Sequence, residues 1–382
     1  MALSLYIHYP FCTNLCSYCD FYKVRHNAKL EKKYFDALST ELALAVDTID
    51  PDKRKITTIY FGGGTPSLMN LSPLSKLLEQ LKSHFTFDPD LEFTLEINPE
   101  SIDVDRLAAL KELGVNRPVF GIQSFNTRLL RMLNRKHELK DSFRAVYLAR
   151  ALGFENFGID MIFGLPKQTG RRLSDDLNQL MDLSPPHISY YQLTVEDGTP
   201  LKKRIDDGKL RLPANDLMAA MYLAVNIECK NNNLRRYEIS SFALPGYECR
   251  HNIRYWEGGE YLGLGPSAHS FIDNRRFANS ADLQLYIKKL IKGIRPLIFD
   301  TDDVQSRMSE AVMLGLRTSR GIVRKEFRRR FGIPIDKVID TQNLRILAQA
   351  DLIASRKERI YLTESGFPLA DEIIRRLIKQ LF

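Results

Sequence analysis

Six short β-rich runs, each followed by a stretch of helical period, constrain the fold of this chain more than any other feature. The runs are SLYIHY from Ser4, ITTIYF from Ile56, LEFTLEI from Leu91, NRPVFGI from Asn116, FGIDMIF from Phe157 and HISYYQL from His187. Between them, segments such as LSPLSKLLEQLKSHF and DVDRLAALKELG space Leu and Phe three or four apart, the pattern of an amphipathic helix. Strands and helices alternating in this order wind into parallel βα units. Six units predict an α/β fold, a partial (β/α)6 barrel, with its chemistry gathered at the C-terminal ends of the strands.

The polar residues obey that rule. Cys12, Cys16 and Cys19 follow the first run in PFCTNLCSYCDF, Gly62 to Thr65 follow the second, Glu96 and Asn98 close the third, and Gln123 and Ser124 follow the fourth. Three thiolates can bind three irons of a four-iron cluster, whereas an electron-carrying cluster takes a fourth cysteine. None lies nearby, since Cys229 and Cys249 are each alone and far downstream. The count therefore leaves one iron open, as catalytic metal sites do. A structural zinc completed by His8 or His26 is the alternative reading of the same cysteines. Disulfide pairing fits less well, because five cysteines is an odd number and a chain of 382 residues does not need staples.

The run FGGGTP is not a dinucleotide fingerprint, because its glycines are contiguous and a proline follows. It reads either as a tight turn or as backbone exposed to a ligand's ammonium or carboxylate. Glu96 can accept from a hydroxyl or an ammonium, and Arg135 can clamp a carboxylate. Asp160 lies in a strand too apolar to carry an unpartnered charge. Taken singly, each such residue is more often part of an ion pair or a cap than a ligand contact. Their joint position at strand ends points to one ligand.

Apolar residues make up 44% of the chain, no stretch approaches a membrane span, and MALSLYIHYP lacks the features of a signal peptide. These features predict a soluble, cytoplasmic-type protein. The net charge of +8 suits an acidic partner, whether nucleic acid, an anionic membrane surface or a carboxylate-bearing ligand. Seven basic residues between Arg317 and Gly332 face one acid, Glu326. They belong to an appendage in which DVQSRMSEAVMLGLRTSRGI and KEFRRRFG read as helices, with NLRILAQADLI and RIYLTESGF after them. A closing helix then places Leu369, Ile373, Ile374, Leu377, Ile378 and Leu381 on one face. That order suggests a winged-helix-like module, but fold alone does not make it a nucleic-acid binder. The expected units are a barrel over 1–230, a connecting region over 231–298 and the module over 299–382.

The blocks YIHYPFCTNLCSYCDF, FGGGTPSLM, EINPES, GVNRPVFGIQSF, IDMIFGLPKQT and YYQLTVEDGTPL resemble, in order and interval, those of radical S-adenosylmethionine (SAM) enzymes, in particular the group of oxygen-independent coproporphyrinogen dehydrogenase. The resemblance implies a TIM-like radical SAM barrel, a 4Fe-4S cluster on Cys12, Cys16 and Cys19, and SAM chelating the open iron. Matched by motif, the SAM contacts are Tyr6, Tyr18, Gly63, Gly64, Thr65, Glu96, Gln123, Arg135, Asp160 and Thr194. Two features of the dehydrogenase are missing. Phe21 stands where it has a further cysteine, and the triad begins at residue 12 with no long N-terminal arm.

A third departure is a gain. HNIRYW resembles the HNxxYW block of the heme-chaperone family in the same group, which is commonly mistaken for the dehydrogenase. That resemblance implies heme as a third ligand, with His251 as a candidate axial ligand and Cys249 or His269 as rivals. It implies delivery to recipient hemoproteins, respiratory membrane-bound ones among them, from the cytoplasm or the membrane periphery. A homodimer and cleavage of SAM both stay open. So does the dehydrogenase reading, a radical oxidative decarboxylation in heme biosynthesis.

Overall fold

A computed structural model of the protein describes residues 2–300 and 303–378. Six parallel strands form its centre: β1 (Ala2–Tyr9), β2 (Lys55–Gly63), β3 (Thr86–Ile97), β4 (Arg117–Gln123), β5 (Gly158–Phe163) and β6 (His187–Gln192). They neighbour one another in chain order and pair in parallel, each joined to the next by a helical crossover. All six expected strands are present.

The crossovers carry helices α1 (Ala28–Val46), α2 (Leu71–His84), α3 (Val104–Glu112), α4 (Leu139–Ala151) and α5 (Gly170–Asp182), and α6 (Asn215–Asn231) follows β6. Local sequence starts them. The side chains of Asn27, Asn70, Asp103 and Thr169 each accept a hydrogen bond from a first-turn N–H that would otherwise lack a partner. Leu74, Leu77, Leu78 and Leu81 then bury one stripe of α2 against the sheet.

The sheet is larger than the six runs predict. Beside β6 lies β7 (Ser241–Ala243), antiparallel. Beyond β1 come β8 (Tyr261–Leu264), parallel to it, and an antiparallel meander of β9 (His269–Ile272), β10 (Arg275–Asn279) and β11 (Leu297–Phe299). With the two-residue strand Arg235–Arg236 the sheet reaches twelve strands, and its ends do not pair. These additions were missed because four-residue runs such as YLGL carry too little period to be read alone.

Helix α7 (Arg250–Trp256), which carries HNIRYW, closes the N-terminal end of the barrel. The Glu92 carboxylate accepts from the backbone N–H groups of Arg250 (2.9 Å) and His251 (3.0 Å). His251 Nδ1 lies 2.7 Å from the Thr58 hydroxyl, and Nε2 lies 2.7 Å from the Tyr255 hydroxyl. The helix is therefore a plug in the floor, at the end opposite the strand tips.

The C-terminal module has α8 (Val304–Leu316), β12 (Ile322–Val323), α9 (Arg324–Phe331), α10 (Thr341–Gln349), β13 (Ile353–Ser355), β14 (Arg359–Leu362) and α11 (Ala370–Leu377), a winged-helix order of elements. The wing strands pair as β12-β14-β13. Ile373, Ile374, Leu377 and Ile378 are buried as expected, but Leu369 precedes the last helix and is exposed; Leu381 lies outside the described residues.

The module straddles both end regions of the open sheet. At one, Arg236 donates to Glu364 (2.6 Å) and lies 4.2 Å from the centre of the Phe367 ring. At the other, Arg276 pairs with Glu310 and Arg330 lies over Phe271. Several of its basic residues are held in ion pairs, most of them within the module. Arg317 pairs with Asp371, Arg320 with Glu257 and Glu326, and Arg324 with Asp336.

Candidate functional site

Side chains alternate along each strand, so every second residue faces the barrel interior. On β4 the inward set is Arg117, Val119, Gly121 and Gln123. The last three line a cavity of about 400 Å3 at the strand tips, and Arg117 sits below them, buried at the floor.

The three cysteines line this cavity. Their loop is pinned from several sides. The Ser17 N–H donates to the Leu133 carbonyl (3.0 Å), the Asn134 side chain to the Leu15 carbonyl (2.7 Å), and the Leu201 N–H to the Ser17 carbonyl (2.8 Å). Tyr18 packs against a small apolar cluster that includes Leu129, Leu133 and Leu201. Burial pushes the Cys12 thiol up to about 11, although the Thr65 hydroxyl works against this, and burial also raises Cys19. Neutral thiols of this kind become ligands by exchanging a proton for a metal. Cations stand ready beside them: Arg135 Nη1 is 3.7 Å from Cys16 Sγ, and Lys23 reaches the Cys19 carbonyl.

That donor set fits an anionic iron-sulfur cluster better than a single zinc. His8 is held by Tyr6 (3.0 Å) and by the Tyr22 carbonyl (2.8 Å), and His26 faces Glu31. Among the described residues, no three His, Cys, Asp or Glu side chains converge as ligands of one ion.

Opposite the cysteines the cavity wall is acidic. Glu96 accepts from the Tyr60 hydroxyl (2.9 Å) and the Gly63 N–H (3.2 Å). Burial, with the nearby Asp160 charge adding to it, raises Glu96 to about 7. Asp160 is raised to about 6 by burial, against the pull of Ser189, Arg117 and Arg135. Two carboxyls crowded in this way favour a cationic guest, which would restore both charges. The glycine run lets the backbone into the wall. Gly63 sits at φ +106° with the His8 ring packed where a Cβ would project, and a Cβ on Gly64 would come within 2.8 Å of the Tyr9 carbonyl.

Of the residues matched to SAM, Tyr18, Gly63, Gly64, Thr65, Glu96, Gln123, Arg135, Asp160 and Thr194 line the one cavity. Gln123 does so from a left-handed backbone, φ +70°, at the end of β4. Tyr6 is not on the surface of the cavity but one layer behind it, its ring near those of Tyr60 and His251. His251 does not line the cavity but sits in the floor behind Tyr60, 1% exposed, its two ring nitrogens engaged by Thr58 and Tyr255. Burial, with Arg117 adding to it, lowers its pKa to about 3, so it is a neutral imidazole. His269 is exposed on β9. Phe21 stands at the cavity rim, 63% exposed.

Sequence reasoning missed two supports. Asn98 donates to the Thr65 hydroxyl (3.1 Å), tying the ends of β2 and β3 together. The buried Asp176 accepts from the Ser124 hydroxyl (2.9 Å) and the Phe125 N–H (2.8 Å), fixing the turn after Gln123. The NPES and QSF blocks contain one member of each pair, but their partners lie 33 and 52 residues away in the chain.

A barrel of this form with an open-ended cysteine triad defines the radical SAM superfamily, whose model matches residues 6–180. Membership implies a 4Fe-4S cluster and SAM. A second model, the HemN C-terminal domain, matches residues 303–369. The chain is 35% identical over 382 residues to the heme chaperone HemW of Bacillus subtilis, covering 99% of this chain and all of that one. It is 37% identical to the heme chaperone HemW of Escherichia coli over 72% of each. The chain belongs to the HemW family. Among solved structures, coproporphyrinogen III oxidase (HemN) from Escherichia coli superposes with a TM-score of 0.84 over 98% of this chain and 89% of that one, at 24% identity, a likeness of fold.

Proposed function

We propose that this protein is a heme chaperone that carries a 4Fe-4S cluster on Cys12, Cys16 and Cys19, binds SAM in the adjoining cavity and passes heme to recipient hemoproteins, membrane-bound respiratory ones among them. The observation that carries this reading is identity at 35% along the whole chain to a protein of that name. The cavity supports its cofactor half. Glu96 and Asp160 would hold the cationic groups of SAM, Arg135 its carboxylate, and the glycine backbone its close approach. The cluster would supply an electron to the sulfonium, and the chain's own residues orient SAM and keep water away.

Phe21 speaks against the dehydrogenase, since an exposed phenyl ring stands where that enzyme has a cysteine. Heme ligation by His251 is a conditional proposal. Nε2 would coordinate iron only after leaving the hydroxyl of Tyr255 on the same helix, and loading would require this buried ring to become accessible. The deciding experiment is anaerobic cluster reconstitution followed by heme titration and transfer to an apo-hemoprotein. Heme uptake and transfer without coproporphyrinogen oxidation is the expected result, and robust coproporphyrinogen turnover would overturn it.

A further inference from the structure

The cations of the C-terminal module that stay out of its ion pairs are not scattered. Lys325, Arg328 and Arg329, three and four apart, form an exposed stripe on α9, on the side away from the buried Phe327. Lys337 is exposed beyond the end of that helix, and Arg356 and Lys357 are exposed on the turn between β13 and β14. None of them pairs with a described acid, whereas Arg320 and Arg324 beside them do.

Arg324 gathers these pieces at one corner. Its guanidinium bonds Asp336 (2.6 Å), the Ser355 hydroxyl (2.9 Å) and the Arg356 carbonyl (3.1 Å), and its backbone N–H donates to the Glu358 carbonyl (2.9 Å). The start of α9, the 3-10 turn Ile335–Lys337 and the hairpin turn therefore meet, with Lys325, Lys337, Arg356 and Lys357 around the junction. The next helix, α10, buries Leu344 and Leu347. It turns Gln342, Arg345, Ile346 and Gln349 to solvent, a stripe without an acid, with Ile346 50% exposed.

A winged-helix order of elements does not by itself assign a ligand. The side chains add what the order lacks. In a helix-turn-helix the first helix crosses the phosphate backbone and the second lies in the major groove. Here the first helix, α9, bears the unpaired cations. The second, α10, bears Gln and Arg, whose side chains read adenine and guanine edges through paired hydrogen bonds, and an exposed Ile that suits a thymine methyl. An acidic protein surface would be met by cations alone, so the Gln342, Arg345 and Gln349 stripe favours base edges.

We propose that this face binds double-stranded DNA, with α10 in the major groove and α9 and the hairpin turn on the flanking phosphates. No residue of the module lines the cluster cavity, and the inference rests on neither heme nor SAM.

Fluorescence anisotropy of the full-length protein with a labelled random-sequence duplex of about 25 base pairs, between about 50 and 200 mM salt, tests it. Micromolar binding is expected at the lower salt, its logarithm falling linearly with that of the salt concentration. At about 0.9 per lost phosphate contact, K325Q/R328Q/R329Q lowers that slope by about 2.7. Arg345→Ala loses about fivefold or more in affinity for the sequence that the parent selects from a randomised duplex pool. All four side chains are exposed, and circular dichroism melts confirm that the variants fold. Failure of the unmodified protein to bind, an unchanged slope in the triple variant, or an unchanged sequence preference in Arg345→Ala each overturns the proposal. So does tighter binding to single-stranded RNA of the same length, which assigns the face to that ligand instead.

Discussion

His251 Nδ1 and the Thr58 hydroxyl meet at 2.7 Å inside the floor of the barrel, 193 residues apart in sequence. The contact fastens α7 to β2, and the Tyr255 hydroxyl completes the imidazole's hydrogen bonding from the other side. Residues at the N-terminal end of such barrels serve stability, and those at the C-terminal end serve chemistry. The HNIRYW block therefore lies beneath the site, with the ring of Tyr60 between His251 and the cavity-wall residue Glu96.

Replacing His251 with Ala leaves the Thr58 and Tyr255 hydroxyls without their partner in a buried site. The expected cost is about 2–4 kcal/mol. Denaturant melts of the cluster-free protein measure it, while cluster content after reconstitution is expected to be unchanged.

Tyr255→Phe separates a structural His251 from a ligating one. It frees Nε2 at little cost in volume, so heme affinity rises if His251 coordinates iron, whereas His251→Ala lowers it. Heme titration of both proteins decides, and equal affinities in all three would move the ligand to another residue, such as the exposed His269.

Glu96 and Asp160 have folded-state values of about 7 and about 6, above their ordinary 4.5 and 3.8. Within that window the folded protein holds protons that the unfolded chain has released, so these two groups cost stability as pH rises through it. Glu96→Gln removes much of the penalty. The variant without cofactors is expected to gain melting temperature over the parent at about pH 8 and little at about pH 4. Its affinity for SAM falls at least about tenfold at the higher pH.

Arg135 lies beside Cys16 and donates to the Gly121 carbonyl (2.5 Å). A cation there favours the more negative, reduced cluster, so Arg135→Gln shifts the reduction potential downward. Potentiometric titration reads the shift. Cys16→Ser, by contrast, loses the cluster's visible absorbance altogether.

Arg236 fastens one sheet end to the C-terminal module through Glu364 and the Phe367 ring. Arg236→Ala is expected to cost about 1–3 kcal/mol and to loosen the module first. Limited proteolysis near residue 300 tests this, with faster cutting expected and the barrel fragment left intact.

The six strands were legible because each run is long enough to show its pattern, and the cysteine triad because its spacing is local. The cavity contacts followed motif by motif, from Tyr18 to Thr194. Tyr6 was matched with them, yet in strand alternation it faces a layer below Gly63. The plugging position of His251 was hidden for a related reason. A histidine among aromatics reads more often as a core residue than as a heme ligand, and its partner Thr58 lies on the second barrel strand, 193 residues earlier.

By itself the sequence determined the local chemistry: three thiols within eight residues, a glycine-rich turn, alternating strands and capped helices, all written in contacts of short range. Tertiary structure decided what faces what. It put the triad and the carboxylates around one cavity, HNIRYW beneath the floor, and several basic residues of the module into ion pairs and others onto one exposed face. Those outcomes depend on burial and on pairings between residues up to two hundred positions apart, for which a linear pattern carries no period.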